Sequence, residues 1–433
     1  MQAMAVDEEW RRWIKACGGR YFDGLDAEIA ALQVPRCDGQ VTFDIVDVPL
    51  PAWMAEFGPT APRTIPVDRC CLIDGEGPPE ARCDWWRAAF LMLSAAYERD
   101  FEARNGPVHS YRLRLPRAWD AIFRRPWVNW IFLLLARKAT ARAVAVPRPE
   151  FYLTHDVDAV AKTVPTRAKQ AAFNSLNAAR QLARGRAGES LGALGKALRM
   201  ALLPADYWQF ERILAMEDAR GLRSTWNFYG GKGGWLRSPR HILMDPMYDV
   251  ASPAITSLLR RLIGEGWDVG LHQAFDSWAS CEPMRAEAAA LASASGRIVT
   301  RCRQHWLRFS FARTWAAQAE AGIELDTTIG FNDASGFRLG AALAIAPWDG
   351  DSGRLHALTS VPLVLMDSHL HDYGLLDEAE IRAEITRVVD EVKAVGGVAS
   401  LLWHQRVMHP DYGWAWSYET LLDRLAGEGF ACR

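Results

Sequence analysis

The chain has 433 residues, 50% of them hydrophobic and 24% charged, with a formal net charge of −2. This is the make-up of a globular protein with room for two domains, and it excludes the basic signature of a nucleic-acid or polyanion binder. The most apolar run, 127–136, sits between Arg124, Arg125, Arg137 and Lys138 and falls short of the roughly 20 residues a membrane span needs.

The opening Met-Gln-Ala-Met soon meets Asp7, Glu8 and Glu9. No apolar run of the secretory type follows, so a cytoplasmic location is expected. Eight cysteines are scattered without a C-x-x-C pair, which predicts reduced, buried thiols rather than a zinc knuckle or redox motif. Tryptophan is frequent, 19 against 10 tyrosines. Core packing is its default use, but aromatic faces also suit a sugar ligand.

In chain order, the first 146 residues carry no chemical motif. A strand-like piece at 41–46 precedes a helical stretch at 85–97, and Pro147 and Pro149 mark a boundary. Two domains are expected, an α+β accessory domain over 1–146 and a second over 147–433. From there strands and helices alternate. Strands are predicted at 151–154, 224–229, 267–271, 299–303, 323–326, 361–366 and 398–403. Helices are predicted at 208–219, 255–263, 283–294, 312–321, 377–394 and 418–426. About seven such units imply a parallel sheet closed, imperfectly, into a barrel.

Polar residues with chemical potential sit where these strands end: Asp156 and Asp158, His272, Arg303 and His305, Asp326, Asp367 and His404. Barrels of alternating strands and helices build active sites at that end. In Thr154-His155-Asp156-Val157-Asp158, two carboxylates two residues apart repel unless a divalent cation binds one and leaves the other as a base. His272 closes a strand and Asp276 follows four residues later; on a helical turn the two share a face. Asp158, His272 and Asp276 then form an N/O ligand set for zinc or a similar ion, with a position open for water. His404 suits the protonation of a leaving group, and Arg303 the pairing of the base aspartate. Trp306 or Trp403 offers an aromatic wall.

These phrases resemble the polysaccharide deacetylases, the carbohydrate esterases with a NodB homology domain, over about residues 147–433. The resemblance implies a distorted (β/α)7 barrel, after a smaller α+β domain, and five ordered motifs. Thr154 to Asp158 looks like the S-F-D-x-D form of the first, which makes Asp156 the general base and Asp158 a metal ligand. The second, H-x-x-x-H, reads His272-Gln273-Ala274-Phe275-Asp276. Arg303 matches the arginine that pairs with the base. Asp326 and Asp333 are candidates for the aspartate that orients the acid. Leu402-Trp403-His404 matches L-x-H and makes His404 the acid. The match extends to a bacterial subgroup found with surface-polysaccharide genes, through Arg303-Gln304-His305-Trp306-Leu307-Arg308 and Gly336-Phe337-Arg338-Leu339-Gly340. His155, His305, Trp306, Trp403 and Arg338 are read as substrate-binding. The sequence departs from the family at Asp276. Either Asp276 holds the metal, or His305 completes the shell, or the site is degenerate.

The expected reaction is removal of an acetyl group from an N-acetylated sugar of a surface-polysaccharide intermediate, by water activated at one divalent ion, zinc by its ligands. O-acetyl ester or other C–N amide hydrolysis is the alternative, and an inactive glycan-binding protein a third. Between about 160 and 204 lies a basic helical insertion. There Lys162, Arg167, Lys169, Arg180, Arg184, Arg186, Lys196 and Arg199 outweigh Glu189, beside a stripe of Leu191, Leu194, Leu198 and Leu202. It reads as a solvated charged face or as a peripheral contact with anionic lipid or a lipid-linked glycan.

Overall fold

A computed structural model describes residues 2–22 and 24–433. The N-terminal part packs α1 (Gln2–Tyr21), α2 (Trp85–Leu93), α3 (Ala96–Asn105) and α4 (Trp127–Thr140) with an antiparallel pair, β1 (Ile45–Pro49) and β2 (Thr64–Asp68). The predicted strand at 41–46 starts late because Asp68 captures the preceding chain. Its carboxylate accepts from Thr42 N and Oγ1 and from Phe43 N, and Phe43 takes φ +57°. The predicted helix at 85–97 divides at Ala95, which stands at φ +54°, a left-handed residue that no α-helix continues through.

Next comes one curled sheet. Its strands are β3 (Glu150–Val157), β4 (Thr225–Tyr229), β5 (Asp268–Gln273), β6 (Arg301–Gln304), β7 (Leu325–Asp326), β8 (Thr359–Ser360), β9 (Leu363–Met366), β10 (Val398–Leu402) and β11 (Ala431–Cys432). They pair in the order β8-β7-β6-β5-β4-β3-β10-β9, all parallel, with β11 beside the start of β3. The two end strands, β8 and β9, are joined by only Val361 and Pro362. The sheet therefore returns on itself, a distorted α/β barrel as the alternation predicts. Its helices are α5 (Val164–Ala183), α6 (Ala187–Leu202), α7 (Phe210–Asp218), α8 (Pro239–Met244), α9 (Pro253–Gly264), α10 (Cys281–Ser295), α11 (Thr314–Glu320), α12 (Glu378–Ala394) and α13 (Ala415–Gly427). The basic insertion is the hairpin α5–α6, turned at Gly185 with φ +75°.

Two large apolar clusters result. One lies between the sheet and helices α7, α9, α12 and α13. The other joins Trp13, Trp86 and Phe132 of the N-terminal part to Phe309, Trp315, Phe331 and Trp348 of the second half. The N-terminal residues thus share a core with the barrel rather than enclosing one alone. Among the described residues no helix is long and apolar enough to cross a membrane.

Candidate active site and metal centre

Side chains alternate across a strand, and β3 uses both of its faces. Thr154 and Asp156 point into the barrel. Thr154 Oγ1 takes a 2.6 Å bond from Arg303 Nη1, and Asp156 Oδ1 a 2.9 Å bond from Asn227 Nδ2. Asn227 reaches Asp156 because residue 270 on the next strand is glycine. A Cβ there would stand 2.3 Å from Asn227 Oδ1. Arg303 is also inward, with Nη1 3.7 Å from Asp156 Oδ1. Its direct bonds go to Thr154, Ser400 Oγ and Thr327 O, so it braces the barrel interior as much as it pairs the carboxylate.

Just beyond β3, Asp158 Oδ1 lies 3.2 Å from His272 Nε2 and 3.3 Å from His305 Nδ1, and those two nitrogens are 2.8 Å apart. Each ring's other nitrogen faces a main-chain carbonyl: His272 Nδ1 on Arg303 O at 2.9 Å, His305 Nε2 on Met244 O at 2.7 Å. Carbonyls only accept, so those nitrogens carry the protons. In the neutral rings the inner nitrogens then present lone pairs to each other and to a carboxylate. Lone pairs crowded in this way repel unless a cation stands among them. Ligands about 2.0–2.1 Å from a tetrahedral ion lie roughly 3.3 Å from one another, close to this triangle, and proton-fixing carbonyls are the usual support of metal-binding imidazoles. Asp158, His272 and His305 fit a divalent ion.

The surrounding charges act on the three groups in different directions. Burial opposes ionisation of Asp158, but the Arg406 guanidinium on Oδ2 and the imidazoles hold its carboxyl well below the usual range. Burial opposes protonation of His272, yet Asp156 and Asp158 raise it. Burial lowers His305.

Opposite stands His404. Its Nδ1 lies 3.0 Å from Asp367 Oδ1 and its main-chain N donates to Oδ2 at 2.7 Å. Its Nε2 is 3.7 Å from Asp158 Oδ2. Burial works against the Asp367 charge, but His404 outweighs it and keeps the carboxyl low. Asp156, Asp158, His272, His305 and His404 line one cleft with Trp306, Phe173 and Lys169. Trp306 turns into it at φ +58°, and the Lys169 ammonium lies 5.2 Å from its ring. Burial pushes Lys169 down to about 8.

Several expected residues lie elsewhere. Asp276 is exposed and pairs with Arg240 at 2.7 Å and His241 at 3.5 Å. Because His272 is inside a strand, helical i+4 spacing does not apply to it, and His305 takes the third position. His155 is on the outer face of β3, bonded to Glu217 at 2.7 Å. Trp403 likewise faces outward, with Nε1 on Ser417. Arg338 is fully buried against Glu98 of the N-terminal part at 2.9 Å. None of the three reaches the cleft. Asp326 bonds to Gln318, Thr328 and Trp315, and Asp333 accepts from Arg112 N and Leu113 N. Neither orients His404; Asp367 does, and its place at the end of β9 was the available signal. Asn227, Lys169 and Arg406 carried none, since each belongs to the site only through packing.

No family sequence pattern and no curated protein matches the chain. Several solved structures are similar. A provisionally assigned polysaccharide deacetylase from Mycobacterium smegmatis is 14% identical at TM-score 0.39, covering 65% of this chain and 85% of that one. A family 4 acetyl xylan esterase from Clostridium thermocellum, in complex with a cobalt ion, is 10% identical at TM-score 0.32, covering 66% and 87%. A 4-alpha-glucanotransferase from Thermococcus litoralis is 13% identical at TM-score 0.37, covering 66% and 39%. Identities this low leave the reaction to be read from the residues themselves.

Proposed function

We propose that this chain is a metal-dependent carbohydrate deacetylase of the polysaccharide-deacetylase type, acting on an N-acetylated sugar of a surface-polysaccharide intermediate in the cytoplasm. The observation that carries the reading is the convergence of three lone-pair donors, Asp158, His272 and His305, between an inward carboxylate, Asp156, and an imidazole backed by a carboxylate, His404 with Asp367.

Asp158, His272 and His305 would hold the ion, and an N/O set of this kind suits zinc. A divalent ion there supplies Lewis acidity toward an acyl oxygen and toward water. Asp156, oriented by Asn227, takes the proton of the attacking water. Asp367 accepts the His404 Nδ1 proton, so Nε2 is the nitrogen that faces the cleft, and from the imidazolium it is the Nε2 proton that passes to the departing amine nitrogen. The C–N bond breaks as the new C–O bond forms, leaving acetate and the free amino sugar. Trp306 supplies a flat apolar wall of the kind sugar rings stack on.

Acetate release from a panel of nucleotide- and lipid-linked N-acetyl sugars, run beside O-acetyl esters, tests this. Metal-dependent release from at least one N-acetyl sugar is expected. Release only from O-acetyl esters moves the chain to the esterase reading. Glycan binding without any release makes it a binding protein.

A further inference from the structure

Fifteen large hydrophobic side chains are exposed among the described residues, and eleven of them fall in 164–203 and 235–243. These are the hairpin α5–α6 and the segment running into α8, which packs on α5. Within α6, Leu191, Leu194, Leu198 and Leu202 follow helical spacing on one face, at 70%, 44%, 63% and 70% exposure. The opposite face buries Ser190, Ala197 and Met200. Val164, Leu176 and Leu182 of α5 and Trp235, Leu236 and Leu243 add to the exposed set. Isolated exposed leucines are ordinary, but a concentration of this kind marks a docking surface.

The hairpin is fixed to the rim of the cleft. Arg184 Nη1 donates to Gly374 O at 3.1 Å, Arg186 Nη1 to Leu375 O at 3.2 Å and Lys196 Nζ to Tyr412 O at 3.1 Å. Lys162 pairs with Asp411 at 2.7 Å. These acceptors lie in the loops after β9 and β10, which also supply Asp372 and His404 to the cleft. On its inner side α5 sends Lys169 and Phe173 into the cleft. One element therefore carries both the apolar surface and part of the site wall. Its charge is one-sided as well. Arg167, Arg180 and Arg199 remain beside those anchors, against the single acid Glu189.

An apolar stripe with flanking arginines and almost no acids is the composition of a helix lying in a membrane interface. We infer that the α5–α6 hairpin docks on a bilayer containing anionic lipid and sets the mouth of the cleft against the headgroups. A lipid-linked glycan is the substrate class such a placement presents. The docking itself stands or falls independently of the deacetylase reading.

Co-sedimentation of the full chain with phosphatidylglycerol/phosphatidylcholine vesicles and with pure phosphatidylcholine vesicles tests it. Preferential binding to the anionic vesicles, weakened at high salt, is expected. Leu191→Ser with Leu198→Ser and Leu202→Ser should abolish it. Arg180→Gln with Arg199→Gln should weaken it roughly tenfold or more, since each cation near the surface contributes about 1 kcal/mol. Metal content and the thermal midpoint should stay as in the parent in both variants, and the charge variant keeps the test decisive should the serine variant misfold. Equal partitioning onto both vesicle types, no partitioning, or reversible dimerisation that the serine changes abolish overturns the inference, the last by giving the stripe to a second copy of the chain.

Discussion

Asp367 holds His404 at two points. One oxygen accepts from the histidine main-chain N at 2.7 Å and the other faces ring Nδ1 at 3.0 Å. Backbone and ring are fixed by one buried carboxylate, so Nε2 has a single direction available, into the cleft.

Asp367→Asn should therefore lower kcat by about 10²-fold through loss of positioning, while His404→Ala and Asp156→Asn should each cost about 10²–10⁴-fold, the usual range for general acid–base groups. Steady-state rates and near-ultraviolet circular dichroism check this. Near-parent rates in His404→Ala would remove it as the acid.

The facing nitrogens of His272 and His305 set a second expectation. His305→Ala should weaken divalent-ion affinity by more than about 100-fold, beyond the effect of a supporting residue. Asp276→Ala should leave it unchanged, because its partners are Arg240 and His241. Titration of chelator-stripped protein with zinc reads both. Loss of binding in Asp276→Ala would restore that residue as a ligand.

Glu287 makes stability pH-dependent. It accepts from Ala274 N and Ser277 Oγ in the turn after β5, and burial pushes it up to about 7 from 4.5. The folded state then binds more protons than the unfolded one between those values, so stability falls as pH rises from about 4.5 to about 7 and stays reduced above. Glu287→Gln should stabilise the protein at pH 8 by on the order of 2 kcal/mol and have no such effect at pH 4. Urea midpoints at the two pH values decide it. An equal effect at both would assign the change to packing.

Arg338 tests the shared core. Its guanidinium is buried against Glu98, Ser110 Oγ and His109 O, and Glu98 is raised by burial that Arg338 only partly offsets. Arg338→Met should destabilise by about 3–5 kcal/mol by stranding that carboxyl. Adding Glu98→Gln should recover part of the loss. Unchanged thermal stability with a raised KM would instead return Arg338 to a substrate-binding role.

The pattern of strands and strand ends is enough to bring Asp156, Asp158, His272, Arg303 and His404 to one rim. Strand period and strand ends are local properties, and a parallel barrel brings all such ends to one rim. The same locality explains the misreadings. His155 and Trp403 are chain neighbours of Asp156 and His404, which line the cleft, but successive residues of extended chain face opposite ways, and which face is inside depends on the neighbouring helices. Asp276 had the right spacing for a helix and stands after a strand.

Local pattern along the chain is enough for the order of the strands, the alternation that curls them into a barrel, and the set of polar residues delivered to its rim. Packing in three dimensions sets the rest: His305 and not Asp276 meets His272, Asp367 and not Asp326 or Asp333 holds His404, and the basic insertion folds back to put Lys169 against Trp306. Each of these is a contact between elements far apart in the chain, selected by how the sheet closes and what the helices bury, and no periodicity along a single segment encodes it.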